Sequence, residues 1–394
     1  MSSAQQAGTF ILEILLMISF FHIAAAQERY EAYYQYLGNY PDEEETGFHT
    51  SVQGLAHDRD HWFISQNTAL WKIPVGNSLN SVSASDPDVI FQTIGDYAEL
   101  SAYNHFGDLV HFEYRERGYL VMPIEHEEGD AVPAMAIFRA EDLAYLGHAP
   151  VDVCFQQKSG WCAVDPQGYV YSSNNHPYCI IKYKLDWEEL YTNGNVVLQS
   201  SQAIMLRNES GAPLQLHHAQ GGEFSPSGDL LYLVTGYYTD TDRHAEGIHV
   251  FDTSTWRRIQ HSTNGSGHFN YEFYPGFNWF SGAYEEPEGL TIWDLDSGRA
   301  PGISGQLHVL LLDNDADYDD VFIKHYTYKI YVDRTYTGKE QGTPSQPFNT
   351  VSEANKLAWD GANIDIRSGV YAESLTFAKR LRVIARGGRV IIGK

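Results

Sequence analysis

Carboxylates beside glycines are the residues of this chain best placed to do chemistry. Glu223 follows a Gly-Gly pair, Glu288 precedes Gly289, Gln53 precedes Gly54, and His57 and Asp58 end the first of these three segments. Carboxylates converging from such positions can hold a metal ion or divide into a general acid and a general base. Bonded to neighbouring amides and water, they are structural instead. A second acidic feature runs from Asp313 to Asp320, with Asp313, Asp315, Asp317 and Asp319 alternating. Oxygens two residues apart point the same way in an extended loop and suit one hard cation, calcium. The loop is not an EF-hand, because Tyr318 stands at the glycine position and Lys324 at the bidentate glutamate position. A solvated acidic loop is the alternative.

A third group is polar and aromatic. It comprises Glu125, His126, Asp130, Asn174, Asn175, His176, Tyr178, His217, His218, Tyr237, Tyr238 and His244, with Trp279 and Tyr284 inside an aromatic segment at 262–287. Aromatic faces stack on the apolar faces of sugar rings while Asp, Asn and His fix hydroxyls, so as a set these residues suit carbohydrate. For any one of them, packing of long loops against each other is the competing explanation. Gly-x-Ser-x-Gly, glycine-rich phosphate loops, His-Glu-x-x-His and Cys-x-x-Cys are absent from the sequence, which argues against the commonest hydrolase, nucleotide and zinc chemistries.

Charge narrows the partners. The chain of 394 residues carries 26 Lys+Arg against 51 Asp+Glu, a formal charge of −25, and 14% of it is aromatic. Such a surface repels phosphate backbones and anionic membranes and favours cations or neutral, hydroxyl-rich ligands, so nucleic acid is not expected. The acidity is uneven: residues 27–327 hold 15 Lys+Arg and 44 Asp+Glu, residues 328–394 hold 11 and 6.

Short strands must position these groups. Residues 220–261 read as four strands, Gly222–Ser225, Leu230–Val234, Gly247–Phe251 and Trp256–His261, separated by turn residues. The pattern recurs about every 50 to 70 residues. Innermost strands fall at Gln53–His57, Phe106–His111, Gly160–Val164, Gly222–Ser225 and Glu288–Trp293, each followed by two further strands. The fifth repeat lacks an outer strand, and Tyr30–Leu37 supplies one, which would close a ring by joining the ends of the domain. The pattern resembles β-propellers as a class and implies an all-β fold of five blades, or six if 262–287 hides a hairpin. The Glu286-Pro287-Glu288-Gly289 segment also resembles calcium-containing propeller hydrolases of the phytase-like and gluconolactonase-like kinds, over those four residues.

The ends differ in character. The apolar run Phe10–Ile23 closes on Ala24-Ala25-Ala26, a signal-peptide outline although no Lys or Arg precedes it and Glu13 interrupts it. At about 14 residues it is shorter than a spanning helix, so residues 1–26 are expected to be removed, no membrane insertion to remain, and the protein to be secreted. Cys154 and Cys162 can bridge, leaving Cys179, or all three remain thiols.

From residue 328 the sequence resembles the start of pectin-lyase-like right-handed parallel β-helices. The resemblance rests on Tyr331-Val332-Asp333, on Gly342 to Phe348, on an amphipathic helix from Val351 to Ala358, and on the strand Asn363–Arg367. Thr350 and Glu353 form a capping-box pattern, and Val351, Ala354, Leu357 and Ala358 one apolar stripe able to cover the open end. Short strands at Leu375–Phe377, Leu381–Ile384 and Val390–Ile392 would begin two coils. An open last coil exposes strand edges, so the chain reads as a fragment of a longer β-helix protein, or as a stub packed on the propeller or another subunit.

The expectation is a secreted binding protein recognising carbohydrate through the loop face of its propeller. The alternatives are a calcium-dependent hydrolase of glycosidic or phosphoester bonds with Glu223 and Glu288 at the channel mouth, and a protein-interaction scaffold.

Overall fold

Short apolar runs separated by glycine- and aspartate-rich turns cannot cover both of their faces alone, so they pair into sheets that stack on one another. The computed structural model describes residues 33–42, 46–236, 247–262, 284–314, 319–340, 342–358 and 361–393. All of them lie in one compact unit, Glu31–Lys394.

The chain begins with β1 (Tyr33–Asn39). A first sheet joins β2 (Val52–His57), β3 (His61–Gln66), β4 (Ala69–Pro74) and β5 (Ile90–Thr93). The second comprises β6 (His105–Phe106), β7 (Val110–Tyr114), β8 (Arg117–Glu125), β9 (Ala134–Arg139) and β10 (Tyr145–Pro150). The third holds β11 (Ala163–Val164), β12 (Tyr169–Ser172), β13 (Cys179–Leu185) and, after helix α1 (Trp187–Asn193), β14 (Leu198–Met205). The fourth is β15 (Ala219–Phe224), β16 (Leu230–Thr235), β17 (Gly247–Asp252) and β18 (Arg257–Ser262). Each is an antiparallel blade of consecutive strands.

The last sheet is different. It contains β19 (Tyr284–Ile292), β20 (Leu307–Asn314), β21 (Asp319–Val332) and, beyond helix α2 (Val351–Leu357), β22 (Asn363–Tyr371) and β23 (Arg382–Ile392). β1 pairs antiparallel with β21 from Tyr33 opposite Lys329 to Asn39 opposite Lys324, the pairing of the two ends that the sequence implied. β22 pairs parallel with the far end of β21, and β23 parallel with β22. The expectation of five alike blades is therefore corrected to four blades of consecutive strands and one six-stranded composite sheet. The reason is the length of β21, which runs on through the composition change at 327 and 328. Residues 263–283, where a further hairpin was considered, lie outside the described residues.

Core clusters lie between successive sheets. Leu55, Trp62 and Ile64 pack with Trp293, Leu310 and Ile323 of the composite sheet, and Phe63 and Leu70 with Leu120 and Phe138 of the second. Val121 and Ile137 meet Val170 and Ile181, and Trp161 and Ile180 meet Leu231 and Phe251. Each fully buried aliphatic or Phe side chain contributes roughly 1.5–3 kcal/mol. Sheets stacked face to face in chain order make a propeller arrangement.

In the tail, Thr350 caps α2 by accepting from the Glu353 N–H at 3.2 Å, and Val351, Ala354 and Ala358 are buried. The strands expected at 381–384 and 390–392 become one strand, β23, and none forms at 375–377. Cys154, Cys162 and Cys179 are free thiols, exposed, buried and half-buried, which corrects the possible Cys154–Cys162 bridge. Among the described residues no helix is long and apolar enough to cross a membrane.

Candidate functional site

Three innermost strands carry the same irregularity. In β2 the register slips between Val52 and Gly54, in β15 between Ala219 and Gly221, and in β19 between Pro287 and Gly289. The extra residues are Gln53, Gln220 and Glu288. A bulge re-aims the side chain it carries, and all three line one cavity. Glycine follows each because the strands crowd together there. A Cβ on Gly221 would stand 2.6 Å from Gly289 Cα, and one on Gly289 2.7 Å from Asp108 Oδ1.

Asp108 holds this layer together. Its strand is interrupted between β6 and β7, so its backbone N–H turns to Gly160 O at 2.8 Å. Its fully buried carboxylate accepts from Leu55 N at 3.1 Å and Gly222 N at 3.0 Å, tying the first, second and fourth sheets together. Burial pushes the Asp108 carboxyl well above the usual range, and the nearby Glu223 adds to the push, while the backbone N–H bonds oppose it.

The cavity, of about 360 Å³, opens on the side where the second-to-third-strand loops lie, and every sheet contributes to its lining. Glu286 and Glu288 are 6% and 3% exposed. Burial, the Glu286 charge, a hydrogen bond with Glu286 and the Asp108 charge together push Glu288 well above the carboxylate range. Glu125, also buried, accepts from Ser159 N at 3.1 Å and lies 3.6 Å from Lys158 Nζ. Gln53, 9% exposed, donates to its own neighbour Val52 O at 3.0 Å, which leaves its Oε1 without a partner among the described residues. The Gln220 side-chain amide likewise has no hydrogen-bond partner among them. Asn67, Asn175, His105, Glu127 and His218 complete the polar wall.

Glu223 lies beyond the glycine layer. Its Oε2 accepts from Ile292 N at 2.9 Å, Thr291 also bonds to it, and burial raises its pKa to about 7. Next to Thr291 sits His57, with Nδ1 2.8 Å from Thr291 Oγ1 and its ring stacked on Trp293 at 4.6 Å. Glu223 and Glu288 thus face opposite ends of the axis, and the structure does not assemble them into an acid–base pair.

The remaining sequence candidates divide. His218 lines the cavity in a left-handed backbone conformation, φ 40°. His176 packs against it with ring centroids 4.1 Å apart, and His217 lies 5.7 Å from His176. Tyr178 is 54% exposed on the same face. Asn174 is committed to its own blade: Oδ1 accepts from Gln157 N at 2.7 Å and Lys158 N at 3.1 Å, which makes it a loop brace. His126 gathers with Glu128 and Asp130 so that one ligand atom of each lies within 4.8 Å of the others, on an exposed loop. Tyr284 begins β19 opposite Asn314. Tyr237, Tyr238, His244, Trp279, Asp315 and Asp317 lie outside the described residues. Of the acidic loop, Asp313 pairs with Asp320 across the β20–β21 hairpin, and Asp319 Oδ2 accepts from Ser51 N at 2.9 Å.

Sequence reasoning missed Asp108, Gln220 and the partnership of Glu286 with Glu288. The signal for the last two was an amide or carboxyl side chain immediately before an innermost-strand glycine, at 53–54, 220–221 and 288–289.

No protein-family model matches the chain, and no curated protein does. Among solved structures, the GH43_1 enzyme from Xanthomonas citri is similar at 10% identity and a TM-score of 0.37, covering 70% of this chain and 87% of that one. A thermostable family-43 glycoside hydrolase gives 12% identity and a TM-score of 0.39, covering 77% of this chain and 97% of that one. A putative gluconolactonase gives 12% and 0.37, covering 79% and 97%. At these identities and TM-scores the likenesses carry neither substrate nor mechanism to this chain.

Proposed function

We propose that this protein binds carbohydrate in the axial cavity. The observation that carries the reading is the convergence of Gln53 and Gln220, displaced by matching bulges, on a cavity whose size falls in the roughly 300–1,000 Å³ range of small-molecule sites. Side-chain amides and carboxyls that donate and accept in several directions match the hydroxyls of a sugar ring, and exposed Tyr178 adds an aromatic face at the rim. Calorimetric titration with neutral mono- and oligosaccharides, chosen from a glycan array, tests it. Gln53→Ala and Gln220→Ala are each expected to weaken binding about tenfold, the loss of one good hydrogen bond, without shifting the unfolding midpoint. Silence across the array would sink the reading.

A second reading is favoured by one observation. Glu286 and Glu288 are both buried in the cavity wall, and burial with the Glu286 charge holds Glu288 well above the usual carboxylate range, as a general acid requires. As a hydrolase of glycosidic bonds the protein would turn over aryl glycosides and lose that turnover in Glu288→Gln. Sugar binding with no turnover rules this reading out.

The same proposal has the composite sheet serve as a fifth blade, the parallel strands β22 and β23 as the start of a right-handed β-helix, and the protein exported after cleavage near residue 26. Calcium at the Asp313–Asp319 loop is part of it. A chelated sample should then gain thermal stability with calcium, saturating as one site, because a ligand of the folded state alone stabilises it by mass action.

A further inference from the structure

A second concavity, of about 240 Å³, lies between the third and fourth blades and shares no lining residue with the axial cavity. Strand register builds one of its walls. Tyr171 stands opposite Lys182 and Lys182 opposite Gln202 across β12, β13 and β14, so the three side chains form one row on one face of the third blade. Asp165, in the turn before β12, accepts from the Tyr171 hydroxyl at 2.9 Å and lies 3.6 Å from Lys182 Nζ, which also sits 3.7 Å from the centre of the Tyr169 ring. The Lys182 charge is thereby balanced, while its ammonium keeps N–H donors to offer. Gln202 is exposed, and its side-chain amide makes no hydrogen bond among the described residues.

Trp256, in the turn from β17 to β18, builds the facing wall. Its backbone is left-handed, φ 55°, a conformation that strains a bulky residue and that glycine or asparagine adopts more readily. The turn is pinned there: Trp256 N donates to Asp252 O at 2.6 Å, and Trp256 O accepts from Arg207 N at 3.0 Å. The corresponding turn of the second blade, between β9 and β10, carries Leu143 at φ 59° with its N–H bonded to Arg139 O at 2.9 Å. Leu143 is fully buried, so packing accounts for the strain in that blade. Trp256 is only half-buried. Its ring lies 5.9 Å from that of Tyr171, and its indole N–H has no hydrogen-bond partner among the described residues. A strained backbone kept for a side chain that packing uses only in part points to a ligand.

An aromatic ring with a free N–H, facing an ammonium and an amide across a groove, matches the apolar face and the hydroxyl edge of a sugar. We propose that this groove is a second carbohydrate site, taking one neutral pyranose of an oligosaccharide with its apolar face on Trp256 and its hydroxyls on Lys182 and Gln202. Neutral sugars are favoured over uronic ones because Asp165 already answers the Lys182 charge. A glucose ring in its chair turns only C–H bonds to its faces, so a β-1,4-linked glucose chain is the fitting probe. The site uses none of the axial residues, and either site can fail alone.

The test is calorimetric titration of the full chain carrying Gln53→Ala and Gln220→Ala, which weaken the axial cavity, with the β-1,4-linked glucose tetrasaccharide and with a β-1,4-linked uronic tetrasaccharide. The expected result is saturable one-site binding of the glucose chain in that background. Adding Trp256→Gly should weaken it roughly tenfold or more, and adding Gln202→Ala about threefold. Gln202 is exposed, so its replacement should leave the urea unfolding midpoint unchanged. Binding by the wild type that vanishes in the Gln53→Ala, Gln220→Ala background overturns this inference and leaves the axial reading standing. Silence of the wild type towards the tetrasaccharide also overturns it, the axial reading being decided by the wider array. Unweakened binding with Trp256→Gly, or equal or tighter binding of the uronic chain, overturns it as well. Weakening by Trp256→Gly with a lowered midpoint, while Gln202→Ala binds as before, would show a packing role for Trp256 and overturn the site.

Discussion

A carboxyl group buried on the axis of a ring of strands is costly unless backbone donors answer it. Asp108 is answered by Leu55 N and Gly222 N, so Asp108→Ala would strand two buried N–H groups at about 1–3 kcal/mol each. Asp108→Asn keeps one acceptor oxygen and should fall between wild type and alanine in urea unfolding; an Asn variant as unstable as the alanine one would contradict this account. Glu223 tests the axis from its other end. Its pKa rises from 4.5 to about 7 on folding, so the stability it contributes is complete below pH 4.5 and is lost as pH rises towards 7, at most about 3 kcal/mol in all. Buried histidines oppose this trend. His57, lowered by burial to about 3, and His325, lowered to about 4, contribute stability above pH 6.5 that is lost as pH falls. The clean observable is therefore the difference between wild type and Glu223→Gln, which should shift steadily against wild type from pH 4.5 to 7.

Bulges and closure act at the level of the strand. β1 secures the composite sheet through Tyr34, which is fully buried, hydrogen-bonded by its hydroxyl to Tyr232 and packed 5.2 Å from Tyr328. Tyr34→Ala should cost about 3–5 kcal/mol by the usual scale for a large buried ring. Half-buried Tyr36, two residues further along β1, should cost less than half as much when replaced by Ala. Similar losses at both positions would mean that β1 is held by its ladder alone. Most strands were legible. Leu230–Thr235 and Gly247–Asp252 stand within a residue of where apolar runs between turn residues placed them, because burial dictates that pattern. One-residue register slips leave no such trace, since a bulge adds a residue without changing its neighbours' character. That is why Gln220 escaped notice and why Glu223, three residues further along β15, was read as the partner of Glu288. The interruption at Asp108 was hidden likewise, inside a run, Phe106–His111, that reads as one strand.

The molecule as a whole does not divide where its charge does. β21 crosses the composition boundary at 327 and 328 without a break, and contacts across it are polar and specific. Asn363 Nδ2 donates to Thr327 Oγ1 at 3.1 Å and Gln306 Oε1 at 3.3 Å, and Arg382 pairs with Asp296 at 2.6 Å. Tyr328 and Ile330, just beyond the boundary, are fully buried. A fragment ending at Thr327 should therefore unfold at lower urea than one ending at Lys394. Identical midpoints would mean the boundary is real. The charge contrast of the two segments pointed to two domains, but charge reports on surface, and the continuity of a strand is decided by the ladder beneath it.

A strand shared in this way also transmits force. Tension applied to the parallel strands runs along β21 into its ladder with β1, whose bonds lie across the direction of pull and must shear together instead of opening one at a time. The ring therefore resists extension through the strand that closes it, and a load on the tail would be felt first at Tyr34, on the seam beside the fourth blade.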